Sequence, residues 1–236
     1  SLNLDELNKC DLVFDIGGVY DHEKRRYDHH QRGFHETFTP NHKVTLSSCG
    51  LIFKHYGEEI IMNIIHPSSP DEIKPDLLQW IKLKIYNTFI MPIDANDNGI
   101  EITDGDMLFR ETTTLPSRVA RLNSKGNGVM RLDAFQQAQE MVRKEFLDVV
   151  NTVYYKIAAS YEVVKKAFSE RFTYDKEGRI LVLQEKCSWK DCIYELEAEE
   201  AKDGQPKQVL YVVSFDGNRS TWGSVAVTVM EGVFKM

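Results

Sequence analysis

Four groups of side chains in this 236-residue chain are of types that handle metal ions and phosphate. The first is Asp15, in Leu12-Val13-Phe14-Asp15-Ile16-Gly17-Gly18. The second is Asp28-His29-His30, followed by Gln31-Arg32. The third is the acidic stretch Asp94-Ala95-Asn96-Asp97-Asn98-Gly99, and the fourth is the pair Arg118 and Arg121. Carboxylate oxygen and imidazole nitrogen together suit Mn²⁺, Zn²⁺ or Fe²⁺ better than Ca²⁺. Arginine forks match the oxygens of phosphate. Successive side chains of an extended segment point to opposite faces, so His29 and His30 either straddle a turn or have different roles. An isolated Asp-His-His is most often a solvated loop. Here it follows a strand that ends in a carboxylate.

The elements that must position these groups can be read from spacing. Leu12-Val13-Phe14 has the pattern of a short buried strand, and Gly17-Gly18 permits a sharp turn after Asp15. Ligand sites of open α/β sheets lie beyond the carboxyl ends of their strands, which puts Asp15 at such a site. Residues 45–56 read as a helix capped by Ser47 or Ser48, with a second helical piece over 58–66 and a proline-marked loop over 67–70. Leu77, Leu78, Ile81, Ile85 and Phe89 keep helical spacing. That helix delivers Asp94 and Asp97 in a polar turn, after Pro92 ends it. Residues 112–117 are a loop leading to a short helix capped by Ser117, which places Arg118 and Arg121 on one face. Residues 123–131 form a glycine-containing connection.

The apolar stripe from Phe135 to Phe168 predicts helix, about 50 Å long at 1.5 Å per residue if unbroken, or two packed helices if it breaks near Asn151-Thr152. Beyond it the pattern turns to strands at 179–184, 209–215 and 225–229, with a short helix at 189–199 and an acidic turn at Asp203-Gly204. Asp216-Gly217-Asn218-Arg219 is a hairpin signal. The expected organisation is residues 1–130 as a metal-bearing domain, 131–172 as a helical connection and 173–236 as a C-terminal domain.

A net charge of −7 argues against a protein that grips duplex DNA over its whole surface. It leaves a nuclease open, because bound cations reverse the field of the carboxylates that hold them. No apolar run reaches the roughly 18 residues of a membrane span. The four cysteines, Cys10, Cys49, Cys187 and Cys192, show no zinc spacing and are expected to be buried free thiols. No signal or transit segment is visible.

The stretches 15–21, 26–34, 94–99 and Leu115-Pro116-Ser117-Arg118-Val119-Ala120-Arg121-Leu122-Asn123, in this order, resemble the melanocyte-proliferating-gene exonuclease family. That family is itself similar to the DHH phosphoesterase superfamily. The resemblance runs through nearly the whole chain. It implies an α/β fold: a DHH-phosphoesterase-like N-terminal domain with a mainly parallel sheet, a long helical connection, and a smaller α+β C-terminal domain with an antiparallel hairpin. It implies a two-metal phosphodiesterase that uses Mn²⁺ or Mg²⁺ on single-stranded RNA from the 3′ end, in the nucleus or mitochondrion, with homo-oligomers left open. Asp15 would bridge the metals, and His29 would bind one of them with Asp94 or Asp97. Asp28 would orient His29, and His30 would face the phosphate. Arg32, Arg118 and Arg121 would hold phosphates. Tyr20, Phe34 and Trp222 are candidate base-stacking residues.

One departure bears on activity. The family pattern carries a further upstream metal motif, a histidine followed by a short acidic group, and nothing before Asp11 matches it. The expectation is therefore a missing first strand and an incomplete site, with a C-terminal end that stops inside a domain. A pyrophosphatase-like hydrolase of small phosphates and a non-catalytic scaffold are the alternatives.

Overall fold

The computed structural model describes residues 4–65, 73–103, 105–123, 131–201, 204, 207–230 and 233–234. The loop expected at 67–70, most of the 123–131 connection and Asp203 lie outside the described residues. The chain forms two compact units, residues 1–150 and 151–236, so the boundary expected near 172 falls inside the second.

In the first unit α1 (Leu4–Leu7) precedes three two-residue strands, β1 (Val13–Phe14), β2 (Tyr20–Asp21) and β3 (Arg26–Tyr27). Their order is β1-β3-β2, with β1 parallel and β2 antiparallel to β3. The mainly parallel sheet expected here is thus corrected to a small mixed one. The buried strand at residues 12–14 is also corrected. Val13 is buried, but Phe14 is 59% exposed, because β1 is an edge strand paired on one side only.

A single helix, α2 (Ser48–Ile65), replaces the two pieces expected around Gly57. Gly57 continues the helix because its bare Cα lets neighbours close in: a Cβ there would meet Lys82 Cε at 3.2 Å and the Phe53 ring at 3.3 Å. α3 (Pro75–Ile85) carries a proline in its first turn, where the missing N–H costs no bond. A wide π-turn (Tyr86–Ile90) leads into α4 (Met91–Asp97), and Pro92 again sits in a first turn. Asp94 and Asp97 therefore ride on a helix, not on the polar turn expected there. The stop is Gly99, with a left-handed φ of 67°. The core between α2 and α3 is built from fully buried Leu51, Ile61, Ile81 and Ile85, each contributing about 1.5–3 kcal/mol by leaving water. Phe38 stacks flat on buried Tyr86 with centroids 3.7 Å apart.

α5 (Leu115–Asn123) forms as the spacing predicts. Thr114 caps it, not Ser117, by accepting the Ser117 amide at 3.4 Å. α6 (Leu132–Thr152) follows.

The second unit contains a π-turn (Val153–Ala158), α7 (Ala159–Glu170), β4 (Ile180–Leu183), α8 (Lys190–Glu200), β5 (Tyr211–Asp216), β6 (Thr221–Ala226), β7 (Thr228–Met230) and β8 (Val233–Phe234). β5 and β6 are the expected antiparallel hairpin. The last expected strand begins earlier than its apolar run, at Thr221. β4 pairs in parallel with β5, which local pattern could not reveal. Arg171 is fully buried between the rings of Phe168 and Phe172, at 3.7 and 4.3 Å, and donates to Glu200.

The cysteines are free, as expected, but Cys10 and Cys49 are exposed. Among the described residues no helix is long and apolar enough to cross a membrane.

Candidate metal centre

The β1–β3 pairing brings the first two groups together. The Asp15 amide donates to the Tyr27 carbonyl at 3.1 Å, and the Asp28 amide to the Val19 carbonyl at 3.0 Å. Residues 15 and 28–30 leave the sheet side by side. Asp15 itself has a left-handed φ of 64°. That conformation costs an ordinary residue roughly 1–2 kcal/mol and persists only where its surroundings hold it.

His29 stands at the centre. Its Nδ1 lies 3.9 Å from Asp15 Oδ1 and its Nε2 3.2 Å from Asp97 Oδ2. The imidazole is 7% exposed, whereas the Asp15 and Asp97 carboxylates are about half exposed (58% and 49%). Asp15, His29 and His30 each offer a ligand atom within 4.8 Å of the others. A buried imidazole flanked by solvent-facing carboxylates is a donor set that fits a small divalent cation.

α2 fixes the His29 ring. The Ser48 amide donates to Nδ1 at 3.2 Å, and Ser48 Oγ lies 3.2 Å from the same nitrogen. A backbone amide can only donate, so Nδ1 presents its lone pair and the ring proton faces Asp97. Ser48 was legible in the sequence only as a helix cap. Its contact with His29 depends on tertiary packing.

Asp28 does not orient His29, and that expectation is corrected. One Asp28 oxygen accepts the Gly18 amide at 2.6 Å; the other accepts the His30 amide at 3.0 Å and lies 2.7 Å from His30 Nδ1. The reason is local geometry: Asp28 is buried, and its two oxygens are already taken by the Gly18 and His30 donors. Burial pushes the Asp28 carboxyl up, but the donors from His30 and Gly18 bring it below its ordinary value. The same Asp28 hydrogen bond raises His30 above its ordinary value, and the ring is well exposed.

Asp94 and Asp97 divide the work that the sequence left undecided. Asp94 is fully buried. Its Oδ1 accepts the Ser47 amide at 3.0 Å, the Ser47 hydroxyl at 2.6 Å and the Gly50 amide at 3.1 Å, and its Oδ2 accepts the Tyr86 hydroxyl at 3.1 Å. Asp94 is therefore a clamp on the N-terminus of α2, where a carboxylate also suits the helix dipole. Burial nevertheless pushes its pKa up. Asp97, one turn on, faces His29. Ser47 was legible as a helix cap, and its Oγ accepts the Cys49 amide at 3.2 Å, but its bond to Asp94 and the parts of Gly50 and Tyr86 were not, since a clamp between residues 47 and 94 leaves no local signature.

The arginines separate too. Arg32 is exposed. Arg118 places both terminal nitrogens on the two Glu145 oxygens. Arg121 donates to the Thr112 carbonyl at 2.6 Å. Of the candidate stacking rings, Tyr20 hydrogen-bonds His55 at 2.8 Å and meets Phe34 edge-on. Trp222 pairs with Phe215. Beside the centre a cavity of about 500 Å³ has Asp15 and Asp97 on its wall together with Leu12, Phe14, Ile52 and Ile93.

A family model named for the MYG1 exonucleases and described as an uncharacterised protein family (UPF0160) matches residues 1–236. A MYG1 protein of Caenorhabditis elegans is 33% identical over 95% of this chain and 66% of its own length. The MYG1 exonuclease of Mus musculus is 34% identical, over 92% of this chain and 58% of its own. That of Homo sapiens is 33% identical with the same coverage, 92% and 58%. The chain thus spans under two thirds of the length of these relatives. No solved structure matches it.

Proposed function

The chain belongs to the MYG1 exonuclease family, and we propose that it carries the metal centre of a phosphodiesterase that shortens single-stranded RNA from its 3′ end. The observation that supports this most is the meeting of Asp15, His29 and Asp97, distant in sequence, around one buried imidazole.

A divalent cation in this centre, Mn²⁺ or Mg²⁺ in this reading, supplies Lewis acidity that offsets charge building on the phosphate oxygens. Asp15, His29 and Asp97 would hold it, His29 through Nε2 once that nitrogen has given up the proton facing Asp97. Asp15, whose carboxylate is about half exposed on its strained turn, would be the ligand shared with a second ion in this reading. His30 would donate to a non-bridging phosphate oxygen from Nε2 in its protonated form, which the Asp28 hydrogen bond favours. Arg32 neutralises the phosphate as it enters. Arg118 and Arg121 reach a phosphate only by giving up Glu145 and the Thr112 carbonyl, so they take part after substrate has displaced those bonds. The nucleus or mitochondrion is the setting this reading implies.

The test is a product ladder. Single-stranded RNA labelled at its 5′ end is incubated with the full-length parent protein and Mn²⁺ or Mg²⁺, with pyrophosphate hydrolysis measured in parallel. Stepwise shortening of the RNA, abolished by Asp15→Ala, is the expected outcome. Hydrolysis of pyrophosphate without RNA shortening, or shortening that survives Asp15→Ala, would overturn it.

A further inference from the structure

We infer that the open face of the β4-β5-β6 sheet is a stacking platform for single-stranded nucleic acid. It would hold a stretch of strand by its bases, apart from the metal centre. This inference rests on the nuclease reading for the class of ligand and on the second unit alone for its geometry.

Register defines the face. Ile180 pairs with Tyr211 and Val182 with Val213, and on the other side Val213 pairs with Ser224 and Phe215 with Trp222. Paired residues share a face, and strand neighbours alternate. Leu181, Leu183 and Val212, on the opposite face, are buried to 0–1% exposure, and α7 packs against β4 there. On the open face Tyr211 is 51% and Trp222 53% exposed. The described residues leave the other large side chains of this face half-buried.

Three features favour a nucleic acid strand over another occupant. Tyr211 and the Phe215–Trp222 pair stand roughly 13 Å apart, four residues along β5 at about 3.3 Å each, a span that a few nucleotides cover. The Phe215 and Trp222 rings are 5.3 Å apart and tilted by 53°, so the indole keeps a free surface for a base. No carboxylate occupies a strand position on this face, and Arg219 lies in the turn beyond Trp222, whereas Lys186 is engaged by Asp216 at 3.8 Å on the other side of the sheet. Aromatic rings with an arginine at the margin suit bases and phosphates together. A folded protein partner would need a larger apolar area than two exposed rings and their neighbours supply.

The experiment measures binding of oligouridylate and oligothymidylate to the 236-residue chain by quenching of tryptophan emission and by anisotropy of the labelled oligomer. Trp222→Ala and Tyr211→Ala should each weaken binding on the order of tenfold, and Trp222→Phe should stay within about threefold of the parent. Asp15→Ala should leave this binding intact while it removes cleavage, which separates failure of the platform from failure of the nuclease reading. If oligomer binds but is not cut and Trp222→Ala weakens it, the platform stands and the nuclease reading falls. Parent-like affinity in both alanine variants overturns the platform, as does no oligomer binding by the parent. A dimer in sedimentation velocity that Trp222→Ala dissociates would make the face a self-association surface and overturn it too.

Discussion

A methyl group on Gly50 would lie 2.3 Å from Oδ2 of Asp94, closer than any side chain tolerates. The carboxylate cannot swing aside, because it is buried and held by Ser47, Gly50 and Tyr86. The absence of a side chain at Gly50 is what lets α2 seat its amides on Asp94, and that seat presents Ser48 to His29.

Gly50→Ala should therefore destabilise the first unit by about 3 kcal/mol or more, the upper part of the range for overpacking. Gly57→Ala is the control on the same helix. Its closest contacts would be Lys82 Cε and the Phe53 ring at 3.2–3.3 Å, and the lysine end can move. Alanine also gains close to 1 kcal/mol of helix propensity over glycine, so Gly57→Ala should change stability by less than about 1 kcal/mol. Urea unfolding of both variants checks this. Equal losses would show that the Asp94 seat is not tight.

Asp94 and Asp97 should separate cleanly. Asp97→Ala removes an exposed carboxylate and should abolish or strongly weaken Mn²⁺ binding in calorimetry, with unfolding within about 0.5 kcal/mol of the parent. Asp94→Ala strands buried donors from Ser47, Gly50 and Tyr86. At about 1–3 kcal/mol per unsatisfied group, it should unfold the first unit or nearly so. A folded Asp94→Ala protein that fails to bind metal would reverse the assignment.

The contrast between these two aspartates also shows what sequence could and could not reveal. Asp15 and His29 were legible as residue types able to hold a metal, and the family resemblance asked for one aspartate at 94 or 97. Which of the two lies beside His29 was not legible, because that depends on whether 94–97 is a turn or a helix. The spacing gave no warning that Pro92 would open a new turn of helix instead of ending one. Asp28, which the resemblance set to orient His29, instead has one oxygen taken by the Gly18 amide and the other by His30, contacts that no residue pattern announces. The β5–β6 hairpin was legible from its turn residues. The parallel β4–β5 pair joins strands separated by α8, and no local pattern encodes it.

His55 gives a pH dependence. Its ring stacks on His22 with centroids 3.7 Å apart and its Nε2 lies 2.8 Å from the Tyr20 hydroxyl. Burial first, then the neighbouring His22, pushes His55 from 6.5 down to about 4. The unfolded chain thus takes up a proton near pH 6.5 that the folded chain refuses until about pH 4. Unfolding takes up protons in that window, so stability falls as pH drops through it and levels off below. The group is partly solvated, and screening limits the effect to about 1 kcal/mol. Urea midpoints at pH 7, 5.5 and 4 should fall further in the parent than in His55→Phe; parallel curves would show that His55 does not contribute.

The last prediction concerns the two kinds of arginine. Arg118 is bound on both terminal nitrogens by Glu145, and the pair ties α5 to α6. Arg32 is exposed beside the Asp28-His29-His30 loop. Replacing Arg32 with alanine removes a cation at the phosphate entrance, and a hydrogen bond to a charged group is worth about 1.5–3 kcal/mol. Cleavage should slow on the order of tenfold or more, with metal content and stability unchanged. Replacing Arg118 with alanine should first cost stability. The pair is only partly buried, with side chains 35% and 29% exposed, so solvent screening keeps the loss small. A double-mutant cycle with Glu145→Gln should return most of that loss as coupling between the two positions. Glu145→Gln alone loosens the grip on the guanidinium. If Arg118 also serves phosphate, that variant should bind RNA at least as tightly as the parent while unfolding more easily. Weaker RNA binding in Glu145→Gln, or a cleavage defect in Arg118→Ala with no loss of stability, would place Arg118 at the phosphate from the outset and leave Glu145 as its orienting partner.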